Sequence, residues 1–98
     1  MSDELSENIN KLLTKCVKLK SIDDIQKKLM DFIEANHAEL SMDGIWDEIR
    51  TQIEQFIDFR KQTGRYSPFH YTPLNDDMEF FRLLHGIYIA NNNSFSID

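Results

Sequence analysis

The chain has little of what covalent staples or catalysis need. Its 98 residues include one cysteine, Cys16, three glycines, two prolines and one tryptophan. A single cysteine excludes an internal disulfide framework and fits a reducing compartment. Gly44, Gly64 and Gly86 are scattered, so neither a phosphate-binding loop nor a dinucleotide fingerprint runs through them. There is no nucleophile elbow. No stretch approaches the ~18 consecutive apolar residues of a membrane span. The first residues, Met1-Ser2-Asp3-Glu4, are acidic and polar, unlike the basic start of a secretory signal. Internal repeats are absent, and only Asn91-Asn92-Asn93-Ser94 is compositionally biased. These absences predict a soluble cytoplasmic protein.

Positive charge is also scarce. Eleven Lys and Arg stand against 17 Asp and Glu, a net charge of -6 with a pI near 4.9. Nucleic acid and anionic membrane both call for a basic footprint, so neither is expected as a direct partner. A basic protein partner remains open. What the chain does have is an ordinary globular balance, 41% hydrophobic and 29% charged. The length allows one domain, residues 1–98, which buries ~60–65% of its unfolded surface.

The apolar residues recur at helical spacing, and no strand-like alternation competes. Four helices are expected, over about 3–20, 22–36, 43–63 and 76–90, giving an all-α, small four-helix bundle. Leu5, Ile9, Leu12, Leu13, Cys16, Val17 and Leu19 line the first, with Ser2 as its cap. Ile22, Ile25, Leu29, Phe32 and Ile33 line the second, where Ser21-Ile22-Asp23-Asp24 resembles a capping box. Ile45, Trp46, Ile49, Ile53, Phe56 and Ile57 line the third, which Gly64 stops. Phe80, Phe81, Leu83, Leu84, Ile87 and Tyr88 cover over half of the fourth, with Asn75 or Thr72 as its cap. Gly86 inside it points to a close helix contact. The tail 91–98 is expected to fray unless Phe95 docks it.

The residues that carry chemistry do not converge. His37, His70 and His85 show no ligand spacing, so no metal is expected. Cys16 sits on an apolar face and reads as a small core hydrophobe. His37 reads as an exposed loop residue and His85 as a helix-surface one. Asp47-Glu48 and Asp76-Asp77 are adjacent pairs, and neighbours on a helix diverge by ~100°. The chain therefore reads as a non-enzyme without a cofactor.

The charge is unevenly spread. Residues 1–10 carry -3, 11–28 carry +4, 29–59 carry -7, 60–74 carry +3 and 75–98 carry -3. The basic stretch has a plain explanation: Lys11, Lys15 and Lys18 share a helix face, with Lys15, Lys18 and Lys20 toward the end a helix dipole favours for cations. The acidic middle lacks one. Asp43, Asp47, Glu54 and Asp58 fall within about 60° of one another on the third helix, at ~100° per residue. The stripe would run ~22 Å at 1.5 Å per residue. Like charges so placed cost a few tenths of a kcal/mol each, and Asp58 sits at the wrong helix end for an acid. Such recurring small penalties are where function outranks stability, although a solvated polar face explains the same residues.

Between the last two helices lies an aromatic loop with two prolines, Tyr66-Ser67-Pro68-Phe69-His70-Tyr71-Thr72-Pro73. Proline lowers the entropy lost on binding, and tyrosine offers rigid amphipathic area. Phe69 is expected to point inward, with Tyr66 and Tyr71 at least partly exposed. Trp46 belongs by its angular position to the core.

In size, charge and helix count the chain is similar to small bacterial toxin-immunity proteins, although no motif ties it to one family and no residue role carries over. The expected function is an acidic immunity or inhibitor protein that neutralises a basic partner, such as a bacterial toxin nuclease. The candidate partner-binding residues are Asp43, Asp47, Glu54, Asp58, Tyr66, His70 and Tyr71. Alternatives are a structural or regulatory helical adaptor using the broad face of the fourth helix, and an inhibitor that mimics nucleic acid.

Overall fold

The computed structural model describes residues 1–95, with side chains as far as residue 92. Its elements are α1 (Asp3–Cys16), α2 (Ile22–Ala35), the single turn α3 (His37–Leu40), α4 (Ile45–Gln62), a 3₁₀ turn (Thr72–Leu74) and α5 (Glu79–Phe95). The all-α expectation holds, and no strand occurs among the described residues.

Local chemistry sets most helix ends. Ser2 caps α1, its Oγ accepting from the Leu5 amide at 3.1 Å. The same serine donates from its amide and hydroxyl to Glu39, each at 2.8 Å, and ties α1 to α3. Those bonds hold the Glu39 carboxyl below its usual range. The end of α4 is a Schellman motif: Thr63 caps it, Gly64 takes φ +70°, and the Arg65 amide reaches back to the Arg60 carbonyl at 3.1 Å.

Four boundaries correct the expected ones. First, α1 stops at Cys16 rather than Lys20. The chain must reverse to lay α2 against α1, and residues 17–21 make that reversal with tight bonds from Lys18 to Lys15 and Leu19 to Cys16. Val17 and Leu19 imitated helix periodicity because the turn also faces the core. Second, the Ser21 capping box does not form, because Ser21 makes no side-chain cap bond. Third, α4 begins at Ile45, since Gly44 takes φ +75° and breaks the helix ahead of it. Fourth, α5 begins at Glu79, because Asp76 turns the chain ahead of it, its Oδ1 accepting from the Met78 amide at 2.9 Å. The helix then continues to Phe95, so residues 91–95 are helical rather than a frayed tail. No glycine or proline interrupts it there. Residues 96–98 and any docking by the Phe95 side chain lie outside the described residues.

The packing is pairwise. α1 lies against α2 and α4, and α5 against α2 and α4, while α3 bridges α2 to α4. One apolar cluster fills the middle: Leu5, Ile9, Leu13, Ile25, Leu29, Leu40, Ile49, Ile53, Phe80 and Leu84 are fully enclosed. Each such side chain contributes roughly 1.5–3 kcal/mol on burial. Cys16 joins this cluster as expected, and burial pushes its thiol up to about 11. The radius of gyration, 13.5 Å, is that of a folded domain of this length.

Three placements differ from the periodicity. Gly86 is exposed, and a Cβ there would meet nothing within 4 Å, so no close helix contact depends on it. His85 is half-buried rather than on the surface, its ring 4.8 Å from Trp46 and 5.7 Å from Phe81. Trp46 itself is half-buried at the core's edge, with Nε1 donating to the Leu40 carbonyl at 3.2 Å. An indole needs a partner for its N–H, and the carbonyl that supplies it lies at the end of α3. His37 belongs to that turn and is exposed.

Candidate protein-binding surface

The long helix α4 buries Ile45, Ile49, Ile53 and Ile57 and turns its opposite side to solvent. Asp47, Glu54 and Asp58 are all exposed on that side. At ~100° per residue they fall within about 40° of one another, and they span ~16 Å at 1.5 Å per residue. Asp43 is exposed too, but it precedes the Gly44 break and does not continue the helical stripe. Glu54 accepts from Arg50 Nε at 3.3 Å, an exposed pair worth little. Asp47 and Asp58 have no ion pair within 4 Å among the described residues. Asp58 does help hold the Lys61 ammonium above its usual range, after the larger effect of Asp77.

Lys61 joins the end of the stripe to the aromatic loop. Its Nζ lies 2.9 Å from Asp77 Oδ2, and it sits over the Tyr66 ring at 5.1 Å. The Tyr66 hydroxyl donates to the other oxygen of Asp77. Burial, then this carboxylate, pushes the phenol up to about 12. Tyr66 is thus half-buried and latched across the start of α5 rather than free. Phe69 points inward as expected, 3% exposed and stacked on Phe80 with ring centroids 4.9 Å apart. Tyr71 is half-buried against the same core, and His70 between them is exposed. The loop therefore presents His70 and the outer parts of two tyrosines, held in place by the core beneath.

A groove of about 870 Å³ runs between α1 and α4, beside the stripe. Ser6, Asn10 and Thr14 form one wall, and Thr51, Gln52 and Gln55 the other. Gln52 Nε2 donates across it to the Ser6 carbonyl at 2.7 Å and to Asn10 Oδ1 at 3.1 Å. Gln52 Oε1 is enclosed and accepts nothing. One end holds Asp47 and Glu48, and Glu48 pairs with the Met1 ammonium at 3.2 Å. The other end holds Phe56 and Phe59, and Phe59 is 63% exposed. No lysine or arginine lines the groove among the described residues.

Sequence reasoning did not find this groove. Its polar lining has no periodic signal, and α1 and α4 are far apart in the chain. The clue available was Phe59, an aromatic lying off the Ile49/Ile53 face. The reverse applies to α5, whose breadth of apolar residues suggested a docking face. Phe80, Leu84 and Tyr88 are buried, and Phe81, Leu83, Ile87 and Met78 pack on the same cluster. Most of that breadth is used inside the fold, while Ile89 is 44% exposed.

Among the described residues no group of three or more His, Cys, Asp or Glu could hold a metal ion, and no helix is long and apolar enough to cross a membrane. No protein family, curated protein or solved structure matches the chain.

Proposed function

We propose that this is a non-catalytic protein-binding domain, an acidic immunity or inhibitor protein that neutralises a basic partner such as a bacterial toxin nuclease. The observation that carries the reading is the outward side of α4. Three exposed carboxylates lie in register beside a groove without lysine or arginine, and an exposed aromatic marks the far end. An anionic surface of this kind steers a cationic partner and raises the rate of encounter. Phe59 supplies apolar area that slows release once water is excluded. Asp43 and His70, both exposed, and the outer parts of Tyr66 and Tyr71 flank this surface along the chain.

The test is charge reversal. The triple variant Asp47→Lys, Glu54→Lys, Asp58→Lys adds two units of charge at each position and brings the net -6 to zero. All three side chains are exposed, so the fold tolerates the change. Association with the partner captured from the native host should slow by about tenfold or more, with a flatter salt dependence. An association rate that ignores both the reversal and the salt concentration overturns the reading.

A further inference from the structure

α1 and α2 pack side by side, and a cleft of about 340 Å³ opens between them. Lys11 and Lys15 line it from α1 and Lys28 from α2, against one carboxylate, Asp31. We propose that this cleft binds a compact anion with at least two charges, of the diphosphate class. The site uses no residue of α4 and stands apart from the acidic surface there.

The three ammonium groups are exposed and unneutralised. None lies within 4 Å of a carboxylate among the described residues. Glu7 stands one turn before Lys11 and Asp24 one turn before Lys28, the spacing at which helix ion pairs form, yet neither pair closes. A helix dipole accounts for cations toward the end of α1, but Lys28 lies in the middle of α2, where the dipole offers it nothing. Lys28 reaches the α1 lysines only because the two helices pack together. Burial pushes the Cys16 thiol up, and Lys28 and Lys15 both oppose that rise. Cations from separate helices therefore converge on one point, in a chain whose net charge is -6.

The frame is set before any ligand arrives. Leu12 and Phe32, both buried, form the floor, so the cleft rests on the core. At one end Asn8 Nδ2 donates to Asn36 Oδ1 at 3.2 Å, and Asn36 Nδ2 donates to the Phe32 carbonyl at 2.8 Å. Lysine binds phosphate as a point charge, without the directed fork of arginine. A monovalent anion answers one ammonium and leaves the other two repelling, so the cleft favours higher valence. Its volume falls at the small end of ligand sites, roughly 300–1,000 Å³. Acids bracket it: Glu7 precedes the Asn8 end, and Asp24 lies toward the turn between α1 and α2. An extended polyanion would run over those carboxylates, whereas a compact one fits between them.

The probe is inorganic pyrophosphate, titrated into the whole chain at about 0.1 M salt, where charges more than ~10 Å apart are screened. Saturating shifts of amide resonances should centre on Lys11, Lys15, Lys28 and Asn36, and orthophosphate should bind more weakly. Lys15→Gln and Lys28→Gln should each weaken binding by about tenfold. Lys27→Gln removes the same charge from an exposed position outside the cleft and should leave binding within about twofold. Asp31→Asn removes the one carboxylate in the lining and should tighten binding several-fold. All four side chains are exposed, so the fold tolerates these changes. No saturation by ~10 mM, shifts spread equally over Lys18, Lys20 and Lys27, or equal losses in Lys15→Gln and Lys27→Gln overturn the proposal. Tighter binding of an acidic peptide or an oligonucleotide than of pyrophosphate overturns it as well.

Discussion

Phe69→Ala tests whether the aromatic loop belongs to the core or merely rests on it. Phe69 is 3% exposed and lies nearly parallel to Phe80, 8° between planes at 4.9 Å. Phe80 is fully buried, so removing the outer ring opens a cavity against it. Phe-to-Ala changes in cores cost ~3–5 kcal/mol. Domains of this length have roughly 5–15 kcal/mol in total, so the variant should lose about a fifth of its stability or more. With a urea slope near ~1 kcal/mol per molar for a small chain, the midpoint should fall by ~3–5 M. Equilibrium unfolding followed by circular dichroism and by Trp46 fluorescence reads this directly. Phe69→Leu keeps most of the volume and should cost under ~1.5 kcal/mol. A double-mutant cycle with Phe80→Leu should return a coupling of ~0.5–1.5 kcal/mol for the stacked pair. A loss below ~1 kcal/mol for Phe69→Ala, smaller than typical core truncations, would refute the reasoning. The loop would then be held by the Tyr66–Asp77–Lys61 contacts alone.

Other substitutions separate the remaining contacts. Gly64→Ala places a Cβ at φ +70° and should destabilise by ~1 kcal/mol, whereas Gly86→Ala, in open space on α5, should stabilise by ~0.5–1 kcal/mol; thermal melts give both signs. Tyr66→Phe should cost ~1 kcal/mol for a lost half-buried hydrogen bond. Asp77→Ala should cost more, because it strands the Tyr66 hydroxyl as well. Cys16 keeps its proton in the fold to about pH 11 but ionises earlier in the unfolded chain. The folded state then binds more protons, so stability should fall as pH rises through that window. A thiol reagent at neutral pH should label Cys16 only at the rate of unfolding.

Much of the fold was legible in the residues. Period 3.6 in the apolar positions located all four long helices, and most of each inward face is buried, from Leu5/Ile9/Leu13 on α1 to Ile49/Ile53 on α4, while Ile22, Trp46 and Phe56 are only half-buried. Phe69 could be assigned inward and Tyr66 and Tyr71 to partial exposure, because a Pro-flanked loop before an apolar helix must cover the bundle's end. Helix ends were less legible. Val17 and Leu19 face the core from a turn, and a turn can satisfy the same apolar pattern as a helix. Asp43 joined the acidic stripe only by extrapolating a helix through Gly44, where a left-handed φ breaks it.

The sequence by itself determined the helical class, the net charge of -6 and the acid stripe Asp47, Glu54 and Asp58, since these depend on spacing within one segment. Only the tertiary structure decided what lies beside that stripe. Pairing α1 with α4 created the amide- and hydroxyl-lined groove, and pairing α1 with α2 gathered Lys11, Lys15 and Lys28 into a cleft of opposite charge. Tyr66 met Asp77 and Lys61 only because the loop folds back over the end of α4. Contacts between residues distant in the chain are set by which helix faces pack together, and local periodicity carries no record of that choice.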